Sequence, residues 1–138
     1  MTEASFSINS DYEQVVEINN LIRDYLMKED LETFVCNAVE ICLNEALNNV
    51  IKHSYHNDSK YGIDINIRKN AKYLEIEIVD NGEPRSQFDA PSLDFDPNDI
   101  ENLPESGMGL YIIHQLMDEV NYITLNGKNY FTLKKFLD

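Results

Sequence analysis

The chain has 138 residues, of which 43% are hydrophobic and 26% charged, a length and composition typical of one globular domain with a substantial core. Its formal net charge of −14 repels phosphate backbones and anionic lipid surfaces, so we expect no direct contact with nucleic acid or with a membrane. Such a surface favours either a protein partner with a basic face or simply high solubility. No signal-peptide pattern or long apolar run is visible, which predicts a cytoplasmic protein. The two cysteines, Cys36 and Cys42, are accordingly predicted to be buried, reduced thiols.

The first half of the chain predicts one strand and two helices. Residues 5–9 alternate between apolar and polar side chains, as in a short strand. Ser10 or Asp11 can cap a helix that runs to a break at residues 28–30. A second, longer helix follows and is predicted to end near residues 53–55.

The second half of the chain predicts two β-hairpins with a long loop and a helix between them. Asn70 and Asn126-Gly127 supply the hairpin turns. The predicted elements are strands at 63–68 and 74–79, a helix at 110–117, and strands at 120–124 and 130–137. Together with the first half, they predict an α+β fold, a two-layer sandwich with a mixed, mostly antiparallel sheet that helices cover on one face.

The segment at about 83–106 has no usable periodicity. Its apolar residues are isolated, and Arg85 is its only basic side chain. Loops longer than about 12–15 residues are uncommon in compact domains, and most of them are lids, binding loops or disordered linkers.

A conflict within the second helix is the most informative local feature. The periodicity predicts an apolar stripe on this helix, formed by Leu31, Val35, Ala38, Cys42, Ala46 and Val50. Glu45 and Asn49 stand one turn apart: Glu45 lies at the edge of this stripe, whereas Asn49 and His53 lie inside it. Burying an unpaired polar group costs about 2–7 kcal/mol. A hydrated cation on a polyphosphate would satisfy both side chains; alternatively, the last turns of the helix simply run out into solvent. His53 alone is typical of a structural residue.

Two further segments can hold parts of a ligand. Asp80 follows an apolar strand and can accept a hydrogen bond from one exocyclic amine, while Gly82 leaves room for a flat ring beside the backbone. Ser106-Gly107-Met108-Gly109 opens a helix, where backbone N–H groups and the helix dipole favour phosphate. Taken alone, the first segment is typical of a surface turn and the second of a helix start.

The order of these features resembles the GHKL ATPase superfamily and its Bergerat ATP-binding fold. Residues 44–53 look like the N box of the small anti-sigma-factor serine/threonine kinases, and residues 107–113 look like their last glycine box. The resemblance extends from about residue 5 to the last strand. It implies ATP and Mg²⁺ as cofactors and a single ATP-binding domain, 1–138, with an ATP lid at about 83–106.

The resemblance also implies roles for the matching residues. Glu45 would be the general base on the substrate hydroxyl, and Asn49 would coordinate the Mg²⁺ that bridges the ATP phosphates. Asp80 would accept the adenine amino group, with Gly82 beside the ring. The phosphates would be wrapped by Ser106, Gly107, Met108 and Gly109.

The function that the resemblance implies is partner switching in transcription. The chain would be an anti-sigma factor with ATP- and Mg²⁺-dependent serine/threonine kinase activity toward an anti-anti-sigma (STAS) protein. A sigma factor would be the second partner. The family also implies a homodimer, with the first strand and first helix as its interface.

Two residues depart from the family pattern. Pro84 stands where the first glycine box usually has a second glycine, and Glu105 stands where related kinases often carry an arginine. Since an acidic side chain cannot stabilise a γ-phosphate, either Arg85 or a basic residue of a partner takes that role, or transfer is slow. The departures favour an alternative function, a nucleotide-gated protein-binding module without phosphoryl transfer, whereas Glu45 favours the kinase.

Overall fold

The computed structural model describes residues 2–85 and 108–137, and for Met108 it describes the backbone only. The elements are β1 (Thr2–Asn9), α1 (Tyr12–Lys28), α2 (Thr33–Asn49), β2 (Gly62–Lys69), β3 (Tyr73–Asp80), α3 (Met108–Leu116), β4 (Glu119–Leu125) and β5 (Lys128–Phe136). A π-helical turn, Val50–Ser54, continues α2 directly. Every predicted helix and strand in the described ranges is therefore confirmed, with shifted ends.

The strands form one five-stranded sheet in the order β1-β2-β3-β5-β4. All four neighbouring pairs of described strands are antiparallel, so the expectation of a mixed sheet was wrong in that detail. The β4–β5 hairpin turns at Asn126 (φ 52°) and Gly127 (φ 79°), the left-handed pair that a two-residue I′ turn requires. Because β5 pairs with β3, the end of β3 lies beside the start of β5, with Asp80 opposite Asn129.

The core fills the space between one face of the sheet and the helices, which confirms the two-layer α+β prediction. The opposite face of β1 and β2 is polar: Ser5 Oγ donates to Asn66 Oδ1 (2.9 Å) and Ser7 Oγ donates to Asp64 Oδ1 (2.7 Å). The alternating strand residues that point into the core are Ile63, Ile65, Ile67, Leu74, Ile76, Ile78, Phe131 and Leu133.

The helix α1 begins where a cap was predicted, and the structure chooses between the two candidates. Asp11 is the N-cap, and its Oδ1 accepts a hydrogen bond from Glu13 N–H (2.9 Å). Ser10 instead donates its hydroxyl to the Asp58 carbonyl. Because Asp11 caps the helix, the hydroxyl of Ser10 can bind the loop that follows the π-helical turn.

The buried face of α2 is wider than the predicted stripe. The stripe omitted a second row of core residues, of which Val39, Leu43 and Leu47 are 0–1% exposed. Asn49 and His53 are half-buried, whereas Ala38, Cys42 and Ala46 on the same stripe are buried. The buried face is wide because α2 contacts both α1 and α3, and its residues also share one core cluster with the sheet.

The cysteines are buried and unbonded, as predicted. Burial raises the pKa of the Cys42 thiol to about 12, so it stays protonated and acts as a small apolar side chain. No helix in the described ranges has the length and apolarity needed to span a membrane.

Candidate functional site

The first turn of α3 packs directly on the C-terminal turn of α2. A Cβ atom added to Gly109 would lie 2.6 Å from Glu45 Oε2 and 3.5 Å from Asn49 Nδ2. Any larger residue at this position would collide with the carboxylate of Glu45, while its Cβ atom would be in ordinary van der Waals contact with Asn49. The structure therefore brings together Glu45, Asn49 and Gly109, which lie in two separate segments of the chain.

The carboxamide of Asn49 has an unsatisfied hydrogen-bond donor. Its Nδ2 atom is buried and has no hydrogen-bond partner among the described residues. Leaving such a donor unpaired costs about 1–3 kcal/mol, and an orphaned group of this kind calls for an explanation. A ligand that supplies an acceptor beside Asn49 would provide one.

Asp80 is the most deeply buried carboxylate of the site, at 1% exposure. Its Oδ1 accepts hydrogen bonds from Gly82 N–H (2.9 Å) and from Asn129 Nδ2 (2.8 Å). Burial raises the pKa of this carboxyl group, and the hydrogen bonds from Asn129, Gly82 and Ser54 partly oppose the rise. The arrangement holds a carboxylate at the end of β3, near the C-terminal end of the α2 helical segment.

Asn129 is the site residue that the sequence interpretation missed. It is 1% exposed, and its Nδ2 donates both to Asp80 Oδ1 and to the Gly82 carbonyl (3.0 Å). Thr124 Oγ1 donates to Asn129 Oδ1 (2.8 Å), so both ends of the amide are used. A signal was available, because Asn129 has the same parity as the inward-facing Phe131, but the predicted strand began one residue too late to include it.

Gly82 has a packing role in addition to the predicted one. A Cβ atom here would lie 2.4 Å from the carbonyl oxygen of Ser54 and 2.7 Å from its carbonyl carbon. Glu83 N–H donates to the same carbonyl (2.9 Å), which fixes the segment after β3 against the π-helical turn. The close contact explains why a glycine stands at this position.

Arg85 provides a basic side chain beside Asn49. It lines a cavity of about 10 Å³ together with Asn49, Tyr122 and others: Ala46, Val50, Ser54 and Phe131. Its backbone N–H donates to the Tyr122 hydroxyl (3.0 Å), and burial lowers the pKa of its guanidinium. His53 is close enough for Arg85 to contribute, after burial, to the lowering of the histidine pKa.

Part of the predicted site lies outside the described residues. This applies to Ser106, Gly107 and Glu105, to the side chain of Met108, and to most of the predicted lid at 83–106. The described part comprises Glu45, Asn49, Asp80, Gly82 and Gly109, whose predicted roles remain predictions.

Two curated proteins match part of the chain in sequence. The chain is 29% identical over 93 residues to the serine-protein kinase RsbW of Bacillus velezensis, which covers 64% of this chain and 58% of that protein. It is 37% identical over 89 residues to RsbW of Bacillus thuringiensis, covering 59% of this chain and 52% of that protein. The matches thus span little more than half the length of these relatives.

Two solved structures share the fold. The RsbU and RsbW domains of a Mycobacterium tuberculosis protein match with a TM-score of 0.68 at 13% identity, covering 99% of this chain and 33% of that one. A chain of the SiaB–SiaC complex of Pseudomonas aeruginosa matches with a TM-score of 0.62 at 17% identity, covering 97% and 89%. The histidine kinase-like ATPase domain matches residues 8–135, nearly the whole chain, and the protein therefore belongs to that family, within the GHKL superfamily.

Proposed function

We propose that this protein is an anti-sigma factor that binds ATP and phosphorylates a serine or threonine of an anti-anti-sigma (STAS) protein. The observation that carries the proposal is the contact of Gly109 with Glu45 beside the orphaned amide of Asn49. Membership of the ATPase family supports nucleotide binding, and the RsbW relatives are named serine-protein kinases. Since a sigma factor acts in the cytoplasm, the proposal also places the protein there.

ATP would bind between Asp80 and the start of α3. Asp80 would accept the amino group of adenine, and Gly82 would lie beside the ring. Asn129 would act as a positioning residue, because its Nδ2 holds Asp80 Oδ1 at 2.8 Å. The backbone from Ser106 to Gly109 would bind the phosphates, and the lid at about 83–106 would cover them within a single domain, 1–138.

The residues present fit a magnesium ion that ATP brings with it. The described residues contain no cluster of three or more His, Cys, Asp or Glu side chains, so Asn49 is the candidate ligand. A site with a single protein ligand is compatible with Mg²⁺, because this ion usually keeps several water ligands and binds to few protein groups together with the phosphates of the substrate. The unpaired Nδ2 of Asn49 could donate a hydrogen bond to a phosphate oxygen, and its Oδ1 could then coordinate the ion. When bound, the ion would neutralise the charge that develops on the phosphates.

Glu45 would act as the general base. It would take the proton of the substrate hydroxyl while that oxygen forms a bond to the γ-phosphorus of ATP. The bond between the γ-phosphorus and the bridging oxygen breaks, and ADP leaves with the electron pair. Arg85, which lines the same cavity as Asn49, would supply the positive charge that Glu105 cannot.

A direct assay tests the proposal. The protein is incubated with Mg²⁺, ATP and a STAS protein, and intact mass reports transfer of one phosphoryl group. Glu45→Gln should abolish the transfer and leave ATP affinity unchanged, while Glu32→Gln, at an exposed carboxylate at the start of α2, serves as the charge-matched control. Undiminished transfer by Glu45→Gln would refute the assignment of the base.

The second candidate function is a nucleotide-gated binding module that transfers no phosphoryl group. Pro84 and Glu105 are the residues that favour it, because both depart from the kinase pattern. In that case the wild-type protein would bind its partner differently with ATP and with ADP, yet the mass of the partner would never change.

The proposal includes a homodimer built on β1 and α1. β1 is an edge strand of the sheet, and α1 exposes Val16 (61%) and Leu21 (58%). Edge strands and exposed apolar side chains are typical of surfaces that a second copy covers. Light scattering on wild type and on Val16→Glu with Leu21→Glu would show a dimer that the substitutions convert to monomer; a wild-type monomer would refute this part.

A further inference from the structure

A second cleft, of about 470 Å³, lies behind the segment that follows β3. It is lined by Ser54, Tyr55, His56, Asp58, Tyr61, Asn81, Gly82 and Glu83. The contact of Gly82 with Ser54 separates it from Asn49 and Arg85. The volume lies within the range of about 300–1,000 Å³ that is usual for ligand sites.

One wall of this cleft is a rigid aromatic platform. The rings of Tyr55 and Tyr61 are stacked, with centroids 4.9 Å apart and planes 13° from parallel. Tyr55 is buried and fixed at its hydroxyl, which donates to the Gly62 carbonyl (2.7 Å) and accepts from Asn81 N–H (2.8 Å). Tyr61 is 48% exposed, so part of its ring is accessible in the cleft. Its stacking on the fixed ring of Tyr55 holds that ring in place.

The loop that carries the platform is held in a costly conformation. His56 (φ 52°) and Asn57 (φ 65°) are consecutive left-handed residues without being glycine. Asn57 N–H donates to the Ile51 carbonyl (2.8 Å), and Asp58 N–H donates to the Tyr55 carbonyl (2.9 Å). This conformation directs His56 Nε2 to Glu83 Oε2 (2.7 Å), across the mouth of the cleft.

The charge of the cleft selects a cation. Asp58 and Glu83 contribute carboxylates, and among the lining residues that the structure describes only His56 can carry a positive charge. Lys60 pairs with Asp58 at 3.7 Å but is 79% exposed, and such surface pairs are weak and readily exchanged. A guanidinium group suits these neighbours, because it stacks on tyrosine and donates two parallel hydrogen bonds to a carboxylate.

From this combination we infer that the cleft between Tyr61, Asp58 and Glu83 is a docking pocket for an arginine side chain of a protein partner. The net charge of −14 gives a basic partner surface long-range attraction, and the cleft supplies the local fit. The inference can be tested separately from phosphoryl transfer, because Tyr61 and Asp58 lie outside the proposed ATP site and Glu83 is only the first residue of the proposed lid.

The first test uses N-acetyl-arginine N-methylamide as the probe. It is titrated into the ¹⁵N-labelled protein and followed by amide chemical shifts, with the citrulline analogue as the isosteric neutral control. We expect saturable shifts that cluster at residues 54–62 and 81–83, and affinity at least tenfold lower for citrulline. Shifts scattered over the acidic surface, or equal binding of citrulline, would overturn the pocket.

Variants then test which groups bind the probe. Tyr61→Leu keeps apolar bulk but removes the ring, and should weaken binding about two- to fivefold. Glu83→Gln should weaken it more than Glu32→Gln, which makes the same change of charge at an exposed position at the start of α2. Equal effects of these two variants would reduce the interaction to bulk charge and refute the site.

A last comparison distinguishes a protein partner from a metabolite. Free L-arginine and a capped Gly-Ser-Arg-Ser-Gly peptide both carry one net positive charge, but only the peptide has the flanking backbone that a protein partner would present. The peptide should bind more tightly than the free amino acid. Tighter binding of free arginine would instead identify a small-molecule site and refute docking of a partner.

Discussion

Gly109 and Glu45 meet at the junction of α3 and α2, where a Cβ atom on Gly109 would lie 2.6 Å from Glu45 Oε2. The atom that blocks this Cβ is the end of a flexible side chain, so an added methyl group displaces a carboxylate and leaves the backbone in place. The glycine therefore fixes where the proposed base can stand.

Gly109→Ala should accordingly impair phosphoryl transfer far more than folding. A displacement of about 1 Å at a reacting group can cost about 100-fold in rate, which is the loss we expect. The free energy of unfolding should change by less than about 1 kcal/mol, because alanine also improves the helix. Transfer rates and urea unfolding are measured beside Gly62→Ala, whose Cβ would have Ile8 O, at 3.9 Å, as its nearest neighbour among the described residues. A wild-type rate in Gly109→Ala would contradict the role of this contact.

Gly82→Ala, in contrast, should mainly lower the stability of the fold. Its Cβ would lie 2.4 Å from the backbone carbonyl oxygen of Ser54, and backbone cannot yield as a side chain can. Overpacking of this kind costs about 1–3 kcal/mol, which lowers the melting temperature by several degrees in a domain of this size. Calorimetry tests this, and Gly62→Ala again serves as control. An unchanged melting temperature would show that the segment after β3 does not need its contact with the π-helical turn.

The fold could be predicted because its signals are local. Alternation at residues 63–68 and 74–79 marks half-buried strands, and Asn126-Gly127 supplies both left-handed residues of a hairpin turn. The strictly antiparallel sheet could not be deduced in the same way, because pairing of β3 with β5 depends on which distant strands meet. The π-helical turn at Val50–Ser54 left no sequence signal that we recognised.

The residues of the candidate site differ in the same way, because some have a local sequence signal and others depend on contacts between distant segments. Glu45 and Asn49 were visible because each conflicts with its own helix, a contradiction that a ligand would resolve. The contact of Gly82 with Ser54 was invisible, since the residues are distant in sequence and neither breaks a local rule. Asn129 lies between these cases, because the parity of its strand reveals it only when the strand end is assigned correctly.

Asn129→Ala should loosen the carboxylate that is proposed to bind adenine. It removes the donor to Asp80 (2.8 Å) and to the Gly82 carbonyl (3.0 Å), and leaves Thr124 without its acceptor. Such buried groups cost about 1–3 kcal/mol when unpaired, and a loss of about 1 kcal/mol in binding would weaken ATP about fivefold. Calorimetric titration measures this beside Asn121→Ala, an exposed control on β4. Unchanged ATP affinity together with lower stability would limit Asn129 to a structural role.

Asn49→Ala should separate the stability of the protein from its ligand affinity. The substitution removes a buried Nδ2 that has no partner among the described residues and places a better helix former in the last turn of α2. The ligand-free variant should thus be as stable as wild type or more stable by up to about 1 kcal/mol. Wild type should gain about 2.7 kcal/mol from Mg·ATP at 100 times its Kd, and the variant nearly nothing.

Thermal scans with and without Mg·ATP measure both effects at once. The control for Asn49→Ala is Asn48→Ala, the neighbouring residue of the same helix, which should respond to the nucleotide as wild type does. A variant that is markedly less stable without ligand would mean that Asn49 supports the fold and is not reserved for a ligand.

The buried carboxyl group of Asp80 should leave a signature in the pH dependence of stability. Burial raises its folded-state pKa above the unfolded value of about 3.9, so the folded protein binds this proton more tightly. The stabilisation is present in full below the unfolded pKa and is lost as pH rises through the folded pKa.

Asp80→Asn keeps an oxygen for Gly82 N–H but does not titrate. Comparing the two proteins cancels the titration of the other carboxylates. In urea unfolding from about pH 4 to about pH 7, the stability of wild type relative to Asp80→Asn should fall as pH rises. A difference that stays constant or grows would show that the hydrogen bonds from Asn129, Gly82 and Ser54 outweigh burial.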